Sequence, residues 1–445
     1  MLERIEPGMT VLSSTGEVFT VSERLAAEFE PGDTIVANSQ AGLLRIPARE
    51  QQIASDAVTA CAASFEAMDS VSDAQIVSFF HAFASALADD GVWDRIVGVN
   101  AADVEAARAR GRSTTRLAVS EAMRQNMIEG LRGWATTPSR RDAVLEKIDH
   151  EGFRIELVGA ALGIVAFVFE GRPNVLADAC GVLRGGNSVI FRIGSDALST
   201  AREIMDLAVR PSLLGARLPE YALTLIDSPA HAAGWSLFLD RRLSLAVARG
   251  SGPAVDLLGS LAQSAGTPVS LHGTGGAWMV VSAGARAETL RTAVTRSLDR
   301  KVCNTLNTCC IPRSGAARLV PELLAALAQA GEARSQNFKL HVAEDSLDSV
   351  PSELFESRVR IVRADGAREE PQAQPIALTD LGVEWEWEES PEITLVVVDG
   401  VDDAIDLFNE YSPRLVASLI TEDSAEVARF WDRVRSPFVG DAHTR

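Results

Sequence analysis

Short apolar runs alternate with helix-length segments from residue 160 to residue 271, and this rhythm constrains the fold more than any other feature. Strands are predicted at residues 164–169, 188–191, 223–226, 243–248 and 269–271. Helices are predicted at residues 174–183, 197–209, 230–239 and 253–263. Such alternation forms a parallel sheet with helices on both faces. Ligands bind such sheets beyond the carboxyl ends of the strands, so candidate site residues are expected there.

A second α/β segment follows, so the predicted fold class is α/β with two parallel-sheet domains. Its strands are predicted at residues 278–281, 308–311, 359–362, 393–398 and 417–420. The polar stretch 364–375 is predicted to be a surface loop. The expected domains are a small N-terminal β module (1–50), a first α/β domain (51–277), a second one (278–438) and the start of a C-terminal tail (439–445).

The residues before the first sheet give three local predictions. Two hairpins are expected in the β module, at residues 10–21 and 34–47. Residues 54–142 are expected to be helical, with a capping box at residues 72–75 and a helix capped by Asn100. Residues 144–158 alternate apolar and polar, which predicts a β-hairpin with one solvated face, able to pair with another subunit.

Composition excludes several classes of partner. The 445 residues carry a net charge of −19, which argues against nucleic acid or an anionic membrane as the main partner. The longest apolar run, at residues 157–169, is too short to span a bilayer. Five scattered cysteines have no zinc-binding spacing, so no metal site is expected and a reducing cytoplasm is the simplest location.

Cys303 is the candidate nucleophile. It follows an amphipathic run and stands beside Arg300 and Lys301. Cationic neighbours favour a thiolate over a thiol, and a thiolate can attack an acyl carbon. The alternative is a buried structural thiol, which is what most free cysteines are.

Asn174 is the candidate for stabilising an oxyanion. It lies between a predicted buried strand and a helix, where a side-chain amide can donate a hydrogen bond to developing negative charge. A plain helix N-cap is the alternative interpretation.

Two glycine-containing loops follow predicted strands and carry an arginine. Arginine can hold a phosphate with two parallel hydrogen bonds, and glycine lets backbone N–H groups approach it. The candidate cofactor-binding residues are Arg192, Gly194, Ser195, Arg249, Gly250 and Ser251. Ordinary turn glycines beside solvated arginines are the alternative.

Two further stretches leave their roles open. His272 opens a glycine-rich junction at residues 272–276 that permits close backbone approach. The histidine is an acid, a phosphate ligand or a hydrogen-bonded junction residue. Residues 384–389 alternate glutamate with tryptophan, which predicts a solvated strand face over buried tryptophans.

Together these stretches resemble the γ-glutamyl phosphate reductases, a branch of the aldehyde dehydrogenase superfamily. The resemblance runs from about residue 54 to residue 445. The pieces that carry it are Asn100-Ala101-Ala102-Asp103-Val104-Glu105-Ala106-Ala107-Arg108, Glu170-Gly171-Arg172-Pro173-Asn174-Val175, Gly186-Asn187-Ser188-Val189-Ile190-Phe191-Arg192, Val302-Cys303-Asn304 and Asn409-Glu410-Tyr411.

The resemblance implies an aldehyde dehydrogenase-like fold with an NADP-binding domain (51–277), a catalytic domain (278–438) and an oligomerisation hairpin (144–158). It implies NADPH-dependent reduction of L-glutamyl 5-phosphate, or a related amino-acid acyl phosphate, through a thioester on Cys303. Asn174 would stabilise the thiohemiacetal oxyanion, and Arg192 would contact the adenosine ribose or its phosphate. The substrate-binding candidates are Arg172, His272 and Asn304. A cytoplasmic homo-oligomer, dimer or tetramer, is expected.

Several positions depart from the family pattern. The family usually reads Arg-Pro-x-Val-Cys-Asn-Ala-Leu-Glu-Thr around the nucleophile, whereas this chain has no proline there and has Asn307 in place of glutamate. Trp278 stands where the family has a second histidine. Residues 271–276 contain no glutamate to activate water, which favours acyl reduction over aldehyde oxidation. The alternatives are a thioester reductase, an oxidising aldehyde dehydrogenase and a non-catalytic family member.

Overall fold

The structure, a computed structural model, describes residues 3–13, 16–112, 114, 116–363, 366–387 and 389–444. The chain divides into two compact units, unit 1 at residues 1–273 and unit 2 at residues 274–445. Within the described ranges, no helix is both long enough and apolar enough to cross a membrane. The same residues contain no cluster of side chains suited to holding a metal ion.

Unit 1 begins with two small antiparallel hairpins and one helix that the sequence did not predict. The elements are β1 (Thr10–Leu12), β2 (Val18–Thr20), α1 (Glu23–Glu28), β3 (Thr34–Asn38) and β4 (Gly42–Ile46). Helix α1 begins because the Ser22 side chain accepts a hydrogen bond from the Leu25 N–H. Part of the predicted first turn, Ser14-Thr15, lies outside the described residues.

Four helices precede the sheet of unit 1. They are α2 (Ala48–Ala67), α3 (Asp73–Ala88), α4 (Asp90–Ala109) and α5 (Glu121–Thr136). The predicted capping box is confirmed, since Ser72 and Gln75 exchange hydrogen bonds at the start of α3. The predicted cap at Asn100 is wrong. Asn100 is buried inside α4, and its amide donates to the Leu117 carbonyl and to Thr200.

The predicted hairpin at residues 144–158 is present, but both of its faces are solvated. Its strands are β5 (Val144–His150) and β6 (Phe153–Val158), and every residue in them is exposed. The expectation of a single wet face is therefore wrong for this chain by itself. The apolar residues Ile148, Phe153, Ile155 and Leu157 are 46–59% exposed.

The first sheet is a five-stranded parallel sheet in the order β11-β10-β7-β8-β9. Its strands are β7 (Ile164–Phe169), β8 (Ser188–Arg192), β9 (Leu223–Leu225), β10 (Leu245–Arg249) and β11 (Val269–His272). The connecting helices are α6 (Val175–Ala179), α7 (Leu198–Ile204), α8 (Arg210–Gly215), α9 (His231–Phe238) and α10 (Gly252–Ser264). Separate hydrophobic clusters cover its two faces. The predicted α/β fold class is confirmed.

Unit 2 contains a seven-stranded parallel sheet in the order β17-β14-β18-β13-β12-β19-β20. Its strands and the added hairpin are β12 (Ala277–Val281), β13 (Leu306–Pro312), β14 (Lys339–Ala343), β15 (Arg358–Arg363), β16 (Gly366–Pro371), β17 (Ala373–Ile376), β18 (Glu392–Val398), β19 (Val416–Ile420) and β20 (Phe438–Asp441). Its helices are α11 (Ala287–Ser297), α12 (Ala316–Glu332), α13 (Glu353–Glu356), α14 (Val401–Tyr411) and α15 (Ser424–Arg433).

Three predictions about unit 2 are corrected. The predicted strand at 359–362 belongs to the separate β15–β16 hairpin rather than to the sheet. The predicted surface loop at 364–375 is wrong, because its described residues form β16 and β17. The predicted strand face at 384–389 is irregular in its described residues. Glu384, the first residue of this stretch, is held by Lys301 and Gly275 and not by a strand ladder.

Candidate active site

The carboxyl ends of the strands in unit 1 lie along one edge, because every strand pairing in this sheet is parallel. At this edge Arg249 pairs in register with Phe169 on one side and His272 on the other. Val168 pairs with Arg192. The loops leaving this edge carry the predicted site residues Arg172, Asn174, Arg192, Gly194, Ser195, Arg249, Gly250, Ser251 and His272.

Arg192 and Arg249, expected together as phosphate ligands, point to opposite faces of the sheet. Partners in register share a face, and successive residues of one strand alternate between faces. Arg249 therefore shares the face of Phe169, and Arg192 shares that of Val168. The contacts agree: the Arg249 guanidinium lies 5.9 Å from the centre of the Phe169 ring, whereas a Cβ added at Gly234 would lie 3.7 Å from Arg192. We call the two sides the Arg192 face and the Arg249 face.

The Arg192 side chain is buried and has a hydrogen-bond donor to which an anion could bind. It is only 4% exposed, and one terminal nitrogen donates to the Pro229 carbonyl at 2.8 Å. Its buried Nε has no partner among the described residues. Burial lowers the pKa of the Arg192 guanidinium. Burial, with the positive charges of Arg192 and Arg112, also lowers the pKa of His231. An unpartnered buried N–H donor is costly unless a ligand supplies an acceptor.

Gly194 and Ser195 form a tight connection after β8. A Cβ at Gly194 would lie 2.6 Å from the backbone nitrogen of Gly171, so only glycine lets these two loops touch. Ser195 begins a one-turn helix whose Asp196 carboxylate pairs with Arg112 at 2.7 Å. The two loops leaving β7 and β8 are therefore held against each other.

Asn174 stands at the start of α6, but its side chain makes no capping hydrogen bond. The plain N-cap interpretation is therefore wrong, and no described residue holds its amide. Arg172, two residues earlier, donates to Glu170 at 2.8 Å. The loop after β7 thus presents a half-buried amide beside an ion-paired arginine.

The Arg249 face carries a cavity of about 270 Å³. Its lining residues are Trp134, Phe167, Phe169, Asp178, Ala179, Gly181, Val182 and Arg249. His272 lies on the same face, next to Arg249, and burial with the Arg249 charge lowers the pKa of its imidazole. Sequence reasoning missed Asp178, because a single acidic residue in a predicted helix gives no local signal.

Cys303 lies in the turn that joins α11 to β13 in unit 2. All five cysteines are among the described residues, and Cys303 is the only exposed one. Burial raises the pKa of the Cys309 thiol to about 12, and Cys61 behaves in the same way. The alternative interpretation of Cys303, a buried structural thiol, is therefore wrong. Asn304 is half-buried in the same turn.

A glycine pair, Gly275 and Gly276, holds the Cys303 turn by its backbone. The Gly276 N–H donates to the Cys303 carbonyl at 2.7 Å. A Cβ at Gly275 would lie 2.6 Å from that carbonyl oxygen, and one at Gly276 would lie 2.9 Å from the Asn307 side chain. Gly276 also has a φ of +105°, which other residues rarely adopt. The predicted close backbone approach is confirmed.

The prediction of a solvated strand face at residues 384–389 missed Glu384, the residue that closes this turn. Glu384 accepts from Lys301 at 2.7 Å with one carboxylate oxygen and from the Gly275 N–H at 2.5 Å with the other. Asn307, which replaces the family's glutamate, donates to the Val383 carbonyl and accepts from the Trp385 N–H, both at 2.9 Å. Two hydrogen bonds of the Asn307 side chain therefore hold residues 383–385 against β13, the strand that follows Cys303.

The tryptophan at position 278 belongs to the core. Trp278 is fully buried in β12 and meets Phe408 edge to face, with ring centres 5.7 Å apart. Its size is accommodated by packing within unit 2, so this departure from the family pattern fills hydrophobic volume.

The two α/β units have an aldehyde dehydrogenase-like fold. No family model matches the chain. Among solved structures, it is similar to γ-glutamyl phosphate reductase from Thermotoga maritima (21% identity, TM-score 0.72, 88% of each chain). It is also similar to lactaldehyde dehydrogenase from Escherichia coli (17% identity, TM-score 0.63, 92% of this chain and 87% of that one).

Proteins related in sequence identify the family within the aldehyde dehydrogenase-like fold. A γ-glutamyl phosphate reductase from Nitrobacter winogradskyi is 31% identical over 354 residues, 77% of this chain and 75% of the relative. One from Afipia carboxidovorans is 28% identical over 354 residues, 78% of this chain and 75% of the relative. The chain belongs to the γ-glutamyl phosphate reductase family.

Proposed function

We propose that the protein reduces an amino-acid acyl phosphate, L-glutamyl 5-phosphate or a close relative, to the semialdehyde with NADPH. The observation that carries the proposal is the Cys303 turn, where an exposed thiol is fixed by the Gly276 hydrogen bond while the other cysteines are buried. In this proposal, unit 1 binds the cofactor and unit 2 supplies the nucleophile.

Cys303 acts first, as a thiolate. Its sulfur bonds to the acyl carbon, the bond from that carbon to the phosphate oxygen breaks, and phosphate leaves with the electron pair. The nicotinamide cofactor supplies a hydride to the thioester when bound. The resulting oxyanion is stabilised by the Asn174 amide and the Cys303 backbone N–H, and its collapse returns the thiolate and releases the aldehyde.

The glycine-rich stretch at residues 271–276 supports reduction over oxidation. It has no carboxylate that could activate water, and acyl-phosphate reduction needs no hydrolytic step. Arg172, His272 and Asn304 are the proposed substrate contacts.

The residues of the Arg192 face fit a nucleotide with phosphate groups. The buried, unpartnered Nε of Arg192 calls for an acceptor, and Gly194 allows the backbone before Ser195 to approach closely. Arg192 would hold the adenosine ribose or its phosphate, which supports NADP. Gly250 and Ser251 remain candidates through their backbone. The side chain of Arg249 points to the opposite face of the sheet from Arg192, which supports a role in binding the substrate and not the cofactor.

The proposed function is tested by measuring the reaction in both directions with a panel of substrates. Wild type should oxidise NADPH with glutamyl phosphate and should reduce NADP with glutamate semialdehyde only when phosphate is present, and Cys303→Ala should do neither. Turnover with coenzyme A in place of phosphate would identify a thioester reductase. Turnover without either would identify an oxidising aldehyde dehydrogenase, and equal activity of Cys303→Ala would contradict the mechanism.

The enzyme is proposed to work as a cytoplasmic homo-oligomer. The exposed apolar side chains on both faces of the β5–β6 hairpin support burial against another copy. The unpaired cysteines support a reducing compartment.

A further inference from the structure

The cavity on the Arg249 face combines apolar walls with one acid and one base. Phe167 and Phe169 stack with ring centres 5.1 Å apart and form one wall. Trp134 forms another and packs tightly on Gly181, where a Cβ would lie 2.3 Å from the indole ring. An apolar pocket with a few convergent polar groups is the usual form of a small-molecule site.

The two charged groups of this cavity, Asp178 and Arg249, are exposed to solvent and free to bind a ligand. Neither side chain has a hydrogen-bond or ion-pair partner among the described residues, although elsewhere in unit 1 pairs such as Arg112 with Asp196 are common. Although Asp178 is exposed, the protein atoms packed around its carboxyl raise its pKa, against the lowering effect of the Arg249 and Arg172 charges. The two groups thus feel each other's charge without bonding.

A ligand that satisfies both groups must carry both signs of charge. A phosphate or a simple carboxylate would pair with Arg249 and leave Asp178 facing a second negative charge, which is unfavourable. A cation would do the reverse. An α-amino acid carries an ammonium and a carboxylate on one carbon, and the carbon chain that follows suits the aromatic walls.

We infer that this cavity binds the amino-acid end of the substrate, with the Asp178 carboxylate accepting hydrogen bonds from the α-ammonium and the Arg249 guanidinium donating to the α-carboxylate. The inference rests on the proposed function, because that function makes the substrate an amino-acid acyl phosphate. It makes Asp178 and Arg249 the specificity residues for that end of the molecule.

Binding of three unreactive ligands tests the inference on the full-length protein. L-Glutamate carries both α groups, glutarate lacks the ammonium, and 4-aminobutyrate lacks the α-carboxylate. By calorimetry, wild type should bind glutamate about tenfold or more tightly than either of the others, the size expected for one charge-assisted hydrogen bond.

Substitution of Asp178 and substitution of Arg249 should each remove one part of the preference for glutamate. Asp178→Asn should weaken glutamate binding about tenfold and leave glutarate unchanged, since only the ammonium contact is lost. Arg249→Met should weaken glutamate and glutarate and leave 4-aminobutyrate unchanged. If Arg249→Met lowers Tm, Arg249→Lys should give a smaller loss in the same direction, because lysine keeps the charge without the planar fork.

Asp206→Asn and Arg210→Met provide the matched control, since they alter an exposed acid–base pair elsewhere in unit 1 and should change no affinity. Equal wild-type affinities for the three ligands, or an unchanged preference for glutamate over glutarate in Asp178→Asn, would overturn the inference. If wild type turns over glutamyl phosphate but the Asp178 and Arg249 variants keep the wild-type ligand preferences, the assignment of these two residues is wrong and the proposed reaction stands. If wild type binds glutamate selectively but does not turn over glutamyl phosphate, only the proposed reaction is contradicted.

Discussion

Lys301, which is close to Cys303 in sequence, forms an ion pair with Glu384, with Nζ 2.7 Å from Oε1 and side chains only 6% and 15% exposed. The second oxygen of Glu384 accepts from the Gly275 N–H. Gly275 and its neighbour contact the backbone of Cys303. One carboxylate therefore joins Lys301 to the glycine pair that holds the Cys303 carbonyl.

Glu384→Gln should lower both stability and kcat. The amide cannot neutralise Lys301, and leaving one charge of a buried pair without its partner costs about 3 kcal/mol. The single oxygen of the glutamine amide cannot accept from both Lys301 and Gly275, so the turn loses one of its two hydrogen bonds. We therefore expect kcat to fall more than tenfold while KM changes little. Urea unfolding and steady-state kinetics measure the two effects. Lys301→Met with Glu384→Gln together should recover much of the stability, and a double variant as unstable as the single one would contradict the pairing.

Gly275→Ala should abolish activity. Its Cβ would lie 2.6 Å from the Cys303 carbonyl oxygen and 2.8 Å from the Cys303 Cα, and these backbone atoms cannot move without displacing the Cys303 side chain. Gly284→Ala is the control in the same unit, because a Cβ there meets nothing within 4 Å. Kinetics and Tm of both variants decide the point. Wild-type kcat in Gly275→Ala would show that the turn is not held where we describe it.

Iodoacetamide should label Cys303 first. It is the exposed cysteine, whereas burial raises the pKa of Cys61 and Cys309 to about 12 and leaves them mostly protonated and shielded. Mass spectrometry after brief labelling should find one modified peptide, and activity should decline in parallel with it. Prior incubation with glutamyl phosphate should slow both. Equal labelling of Cys309 or Cys310 would contradict a distinct role for Cys303.

The strand–helix rhythm was enough to predict the first sheet and the edge where the candidate residues gather, because apolar strands and turn glycines are local signals. Strand β14 was missed because Lys339 and His341 look solvated in sequence. In the fold they are buried against Glu370 and Glu392, which come from β16 and β18. Such long-range pairing leaves no trace in a local pattern.

The candidate site residues also divide into those with a local sequence signal and those without one. Cys303 and Asn174 were found because their neighbours in sequence carry the signal. Glu384 was read as part of a solvated strand, since its partners Lys301 and Gly275 lie far away along the chain. The opposite orientations of Arg192 and Arg249 depend on strand register, which the sequence does not give.

Replacing Ile155 and Leu157 by glutamate should convert the proposed oligomer into a monomer. Both side chains are more than half exposed in β6, so their replacement removes no packing within the chain and Tm of the monomer should not fall. Light scattering measures the mass. Glu146→Gln, in the same hairpin, is the control and should leave the mass unchanged. A wild-type protein that is already monomeric would contradict the proposed assembly.

Arg363 holds two carboxylates where the β15–β16 hairpin meets the sheet of unit 2. It lies 2.7 Å from Glu370 and also pairs with Glu392, which is 1% exposed. Glu392 in turn contacts His341 at 2.6 Å, and the His341 ring stacks on Trp385 with centres 3.5 Å apart. The Arg363 hydrogen bond, opposed by burial, lowers the pKa of Glu370 from 4.5 to about 2.

Arg363→Met should therefore destabilise the protein in a pH-dependent way. A carboxyl whose pKa is lower in the folded state stabilises the fold above its unfolded pKa, and this contribution disappears as pH falls from about 4.5 towards about 2. At pH 7 the variant leaves Glu392 buried without its cation, a loss of about 3 kcal/mol. Urea unfolding between pH 7 and pH 3.5 should show the difference from wild type shrinking below pH 4.5. Arg313→Met, at an exposed ion pair, should show little difference at any pH. A pH-independent loss in Arg363→Met would mean that packing of the arginine stem, and not its charge, holds the hairpin on the sheet.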